Sequence, residues 1–195
     1  MSREMTVIQT LTAVLFAGGE SRRMGADKAT LTIAGKPLWS RQLDTLRELC
    51  PGKLLISARN TPAWAPADVE VVRDDPPSRG PLSGFAAALR QIQSTHLLAL
   101  AIDLPEMTTE HLLRIWESVR PGVGVVPQCG QGYEPLAAIY PATAESNAAR
   151  ALAMNRLSLR SLIEDLLEQQ KIGIYPVNDD ERRLYRNVNS PDDLR

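Results

Sequence analysis

The chain has 195 residues, a net charge of −1, and 44% hydrophobic against 23% charged residues. That balance gives no long-range field for capturing nucleic acid or an anionic membrane, so only a local anion pocket remains open. The length fits one domain over residues 1–195, able to bury about 70% of the surface its unfolded chain exposes without a disulfide or metal staple.

Residues 1–6 carry Glu4 and lack the apolar stretch of a signal peptide, and no later apolar run approaches the ~20 residues of a membrane span. Residues 12–17 form a continuous apolar run ending at Gly18-Gly19, which predicts a strand buried on both faces. Leu38, Leu43, Leu46 and Leu49 recur at near-helical spacing before Pro51-Gly52, a helix stop. Residues 53–57 and 69–72 read as strands. Leu82, Phe85, Ala86, Leu89 and Ile92 then give an amphipathic helical stripe. A second buried strand over residues 96–102 ends at Asp103, and a helix follows over 108–119 with Thr108 or Thr109 as cap.

Further strands fall at 123–126 and 136–140, helices at 142–154 and 159–167, a last strand at 172–177, and then a polar tail. No internal repeat interrupts this order. Alternating strands and helices predict an α/β fold, a Rossmann-like three-layer sandwich around a mostly parallel central sheet. Cys50 and Cys129 form no C-x-x-C pair, so buried structural thiols in a reducing cytoplasm are expected rather than disulfides or zinc.

Open α/β sheets bind ligands beyond the carboxyl ends of their strands. After the first strand come Gly18 and Gly19, then Arg22, Arg23 and Lys28. Glycines admit close backbone approach, and cations beside free N–H groups describe a phosphate cradle. It is neither a Walker loop, since Ala29 follows Lys28, nor a G-x-G-x-x-G fingerprint; the alternative is a solvated surface loop. Asp103, held by the following Leu104-Pro105, fits a Mg²⁺ ligand, because Mg²⁺ takes one or two carboxylates plus substrate phosphates. Its alternative role is a cap for the next helix.

Asp74-Asp75 follows the third strand and could reach a base, a ribose or the metal, or could be merely solvated. Gly80-Pro81 opens a helix whose N-terminus suits an anion. Arg186, Asn187, Asn189 and Ser190 cluster donors near the C-terminus, where Asn189 or Ser190 could equally cap a last turn. His96 and His111 carry no catalytic role in this reading, and no Ser/His/Asp or Cys/His grouping stands out.

The run from Ala17-Gly18-Gly19 through Arg23-Met24-Gly25 and Asp27-Lys28 to Gly35-Lys36-Pro37-Leu38 resembles the signature of the MobA-like nucleotidyltransferases. Gly80-Pro81-Leu82-Ser83-Gly84, Asp103-Leu104-Pro105, Glu134-Pro135-Leu136-Ala137 and Asn187-Val188-Asn189-Ser190-Pro191 follow in that family's order, so the resemblance spans nearly the whole chain. The Ala-Gly-Gly opening resembles the guanylyl branch, which joins GMP from GTP to the molybdenum-bearing pterin phosphate and releases pyrophosphate. The related cytidylyltransferases, sugar or small-phosphate nucleotidyltransferases, and a non-catalytic nucleotide-binding module are the alternatives.

The resemblance implies nucleotide contacts from Phe16 (where the family usually has Leu), Ala17, Gly18, Gly19, Arg23, Lys28, Asp74, Gly80 and Asp103. Ser57 stands where family members often carry Asn, and its shorter hydroxyl can still hydrogen-bond. Lys28, Asp103 and Arg22 would be catalytic, with Asp103 ligating Mg²⁺. Asn187 and Asn189 would contact the molybdopterin-type acceptor. Transient contact with cofactor-biosynthesis proteins or molybdoenzymes is also implied.

Overall fold

The computed structural model describes residues 8–18, 28–74, 80–188 and Asp193. The first apolar run becomes the central strand β1 (Ile8–Phe16), which is buried on both faces from Leu11 onward. Its side chains alternate as a strand requires: Leu11, Ala13 and Leu15 enter one core, Val14 and Phe16 the other. Each fully buried Leu or Phe contributes about 1.5–3 kcal/mol.

β4 (Pro51–Ala58) pairs parallel to one side of β1, and β5 (Glu70–Arg73) lies outside it. β6 (His96–Ala101) pairs parallel to the other side of β1 and is buried along its whole length. β7 (Gly124–Cys129), β9 (Ala137–Pro141) and β10 (Ile172–Pro176) extend the sheet beyond β6, giving the order β10-β7-β9-β6-β1-β4-β5, with short β8 (Gly132–Tyr133) on β7. β9 runs antiparallel to both β6 and β7.

Helices α1 (Leu38–Arg47) and α3 (Thr109–Glu117) bury leucines and Ile115 against one face of the sheet. α2 (Pro81–Gln91), α4 (Ala144–Ala153) and α5 (Leu159–Glu168) cover the other. The result is the expected Rossmann-like sandwich, mostly parallel with one reversed strand in its interior. No helix among the described residues is long and apolar enough to cross a membrane.

Several local expectations change. β1 starts at Ile8, ahead of residue 12, because Ile8 pairs with Pro51 at the start of β4 and the register then shifts before Thr12. Pro51 opens β4, and the chain turns earlier, at Cys50, whose φ is +48°. A two-strand hairpin, β2 (Thr32–Ile33) and β3 (Lys36–Pro37), precedes α1. Its loop, Ala34-Gly35, has positive φ at both residues, the geometry that matches strand twist in two-residue hairpins.

The C-terminal segment is no free polar tail. A 3-10 turn, Arg182–Tyr185, buries Leu184 and Tyr185, and Val188 beyond it is buried too. Cys50 and Cys129 are half-buried rather than buried. What burial Cys129 has, reinforced by the charge of Glu134, pushes its thiol up to about 11.

Candidate active site

From β1 the chain steps outward through β4 and β5, then returns to β6 on the opposite side of β1. Strand order therefore reverses at β1, and such a switch point leaves a crevice above the strand ends. The backbone there is tightly tied: Ala17 N–H donates to the Ser57 carbonyl at 2.9 Å, and Ile102 N–H donates to the Phe16 carbonyl at 3.1 Å. Phe16, Ala17, Gly18, Ser57 and Asp103 are thus brought to one edge of the sheet.

Lys28 opens a 3-10 turn, Lys28–Thr30, that buries Ala29 and packs on α1. Its Nζ donates to Asp103 Oδ2 at 2.9 Å, a pair separated by 75 residues in sequence. The two side chains retain only 16% and 28% of their exposure. A cation and a carboxylate meet in a partly dry site.

The backbone at Asp103 and Leu104 is held by three donors. Val188 N–H donates to the Asp103 carbonyl at 2.9 Å, Met107 N–H to the Leu104 carbonyl at 3.1 Å, and the buried Gln42 amide of α1 also donates to the Leu104 carbonyl. Pro105 then restricts what precedes it. The alternative of a helix cap does not hold for Asp103, because Thr108 fills that role, its hydroxyl accepting from His111 N–H at 3.2 Å.

Asp74 and Ser57 converge on α2. A Cβ built on Gly84 would lie 2.6 Å from Asp74 Oδ1 and 2.9 Å from Ser57 Oγ, so only a residue without a side chain lets both groups close there. Gly80, at φ +80°, turns the chain into α2, with Pro81 at the first helical position. An open groove of about 600 Å³ runs along β5, lined by Arg59, Arg73, Ala87 and Arg90 among others; it reaches this region only at Asp74. Lys28, Ser57 and Asp103 stand at the strand ends and do not line that groove.

Glu134, whose part the sequence left unassigned, stands beside the same edge. Its N–H donates to the Pro127 carbonyl at 2.9 Å, and two residues on, the Leu136 carbonyl accepts from Ala101 N–H at 2.7 Å. Burial, and then the charge of Asp103, raise the Glu134 carboxyl above its ordinary range. Asn187 is exposed, adjacent to the Val188 link to Asp103. Gly19, Arg22, Arg23, Asp75 and Asn189 lie outside the described residues.

Among the described residues no three His, Cys, Asp or Glu side chains gather as a metal cage. The donors at Asp103 are hard oxygens, and its Oδ2 already holds a cation. That set fits Mg²⁺ arriving with a triphosphate, which needs only one or two carboxylates from the protein.

The model of the MobA-like NTP transferase domain matches residues 13–172. A protein of Opitutus terrae named probable molybdenum cofactor guanylyltransferase is 35% identical over 186 residues, 94% of this chain and 92% of that protein. Another of Cereibacter sphaeroides, named molybdenum cofactor guanylyltransferase, is 30% identical over 94% of this chain and 93% of its own. The solved structure of molybdopterin-guanine dinucleotide biosynthesis protein A from Archaeoglobus fulgidus superposes with a TM-score of 0.73 at 25% identity, covering 94% of each chain. The chain belongs to the MobA-like NTP transferase family.

Proposed function

We propose that this protein transfers GMP from GTP to a molybdopterin-type acceptor, forming the guanine dinucleotide cofactor and releasing pyrophosphate. The observation that carries the reading is the Lys28–Asp103 pair at the ends of β1 and β6, in a chain whose relatives bear the guanylyltransferase name. An acceptor phosphate oxygen attacks the α-phosphorus of GTP; a new P–O bond forms and the bond to the β-phosphate oxygen breaks. The nucleophile is already anionic, so positioning and charge neutralisation outweigh any need for a base.

Lys28 meets the phosphate charge. An ammonium has three donors, enough to bridge Asp103 and a phosphate oxygen at once. Ala17 and Gly18 admit the nucleotide against the strand end, while Ser57 and Asp74 offer polar groups to its base or ribose. Asp103 would hold Mg²⁺, which when bound supplies charge neutralisation at the α-phosphate and leaving oxygens. Asn187 faces the acceptor side.

The test is pyrophosphate release with GTP, CTP, ATP and UTP in the presence of Mg²⁺ and Mo-molybdopterin. Turnover is expected with GTP. Preference for CTP would reassign the protein to the cytidylyl branch. Nucleotide-dependent thermal stabilisation with no turnover on pterin, sugar or small-phosphate acceptors would leave a binding module.

A further inference from the structure

Behind Asp103 lies a buried polar assembly that the reaction itself does not use. His111 of α3 is fully buried. Its Nε2 is 2.6 Å from the Tyr185 hydroxyl, and its ring meets Tyr175 and Tyr185 edge-on at 5.7 and 5.4 Å. Its Nδ1 has no hydrogen-bond partner among the described residues but faces Glu181 Oε1 at 3.5 Å. Glu181, 5% exposed, accepts from the Tyr175 hydroxyl at 2.9 Å, from Arg114 at 3.3 Å and from Asn178 N–H at 3.2 Å, and its own N–H donates to Asn178 Oδ1 at 3.0 Å.

Three separate pieces of chain meet here: α3, β10 with the turn after it, and the 3-10 turn Arg182–Tyr185. Burying so many polar groups costs stability unless they are partnered, and apolar packing of Leu184 and Val188 is not directional, whereas hydrogen bonds are. What the assembly adds is register. Three residues beyond Tyr185, Val188 N–H lands on the Asp103 carbonyl, with Asn187 presented beside it.

We infer that the His111–Glu181–Tyr185 assembly is a positioning device that sets the C-terminal segment against Asp103 and thereby places Asn187 for the acceptor. This rests on the reading of Asn187 as an acceptor contact. His111, Glu181 and Tyr185 touch no substrate in this scheme; they act through the backbone of residues 186–188.

The test measures steady-state KM for Mo-molybdopterin and for GTP separately, with amide hydrogen exchange at Val188, in Tyr185→Phe, His111→Leu and His111→Gln. Tyr185→Phe removes a single oxygen and carries the test if His111→Leu fails to fold. The acceptor KM rises about 10-fold, the lower end of what losing a group that orients a ligand residue does. The GTP KM stays unchanged, Val188 exchanges faster, and His111→Gln recovers much of the His111→Leu loss by offering an amide to Tyr185. Unchanged acceptor KM, or equal rises in both KM values, in folded variants would overturn the inference. Asn187→Ala separates the two claims: if it leaves the acceptor KM unchanged, the acceptor reading fails, and if it raises KM while Tyr185→Phe does not, only the positioning claim fails.

Discussion

At the scale of single residues, the site depends on charges placed where water is partly excluded. Lys28→Ala and Asp103→Ala should each lower kcat about 10²-fold or more, the scale seen when one preorganised electrostatic contact is lost. Single-turnover GMP transfer measures this, and full activity in either variant removes that residue from the mechanism. Gly84 makes a finer prediction. Adding one methyl forces apart Asp74 Oδ1 and Ser57 Oγ, which approach to 2.6 and 2.9 Å of the added atom. Gly84→Ala should cost on the order of 10- to 100-fold in kcat/KM for GTP, as small misplacements do. A wild-type value would mean that neither Asp74 nor Ser57 reads the nucleotide.

At the scale of elements, the site is only as firm as the helices beneath it. Phe85 of α2 is fully buried between Phe16, ring centres 6.1 Å apart, and Tyr140, edge-on at 4.5 Å. It therefore ties the helix below Gly80 to the last residue of β1. Phe85→Ala should cost about 3–5 kcal/mol in urea unfolding; a loss below about 1 kcal/mol would show that the α2 face can collapse around the hole. The Thr108 cap works on the opposite layer. Thr108→Ala should cost about 1 kcal/mol in the same assay, and an unchanged urea midpoint would mean that the cap adds nothing to α3.

For the whole molecule, two buried imidazoles link stability to pH. Burial is the first cause that lowers the pKa of both His96 and His111. For His111 the charge of Glu181 partly opposes this and that of Arg114 adds to it. The unfolded chain takes up a proton near pH ~6.5, whereas the folded imidazoles resist until lower pH. Stability is thus fully present above that value and falls as pH drops below it. Urea midpoints at pH 7.5 and 5.5 should show this loss, and a His96→Asn, His111→Gln double variant should lose less over the same interval. A wild-type midpoint that rises on acidification would reverse the sign.

The layer order, the buried strands and the helices were legible because they depend on local periodicity: apolar residues on both faces mean a strand within a sheet, and a leucine stripe means a helix on it. Asp103 and Lys28 were legible as unusual residues after strands. That the two face one crevice follows from their places after buried strands of an open sheet, and the 2.9 Å pair bears it out; the direct ion pair itself, across 75 residues, is a detail that only the return from β5 to β6 decides.

The small hairpin Thr32–Pro37 escaped the sequence reading because two-residue strands carry no period. The tail from Glu181 to Val188 looked solvated since its composition is polar, yet Tyr175, His111 and Arg114 supply distant partners for it. Composition and periodicity determined which segments are buried and therefore the class of fold. Tertiary structure alone decided which polar groups face one another, because long-range pairing depends on sheet order, which no local pattern encodes.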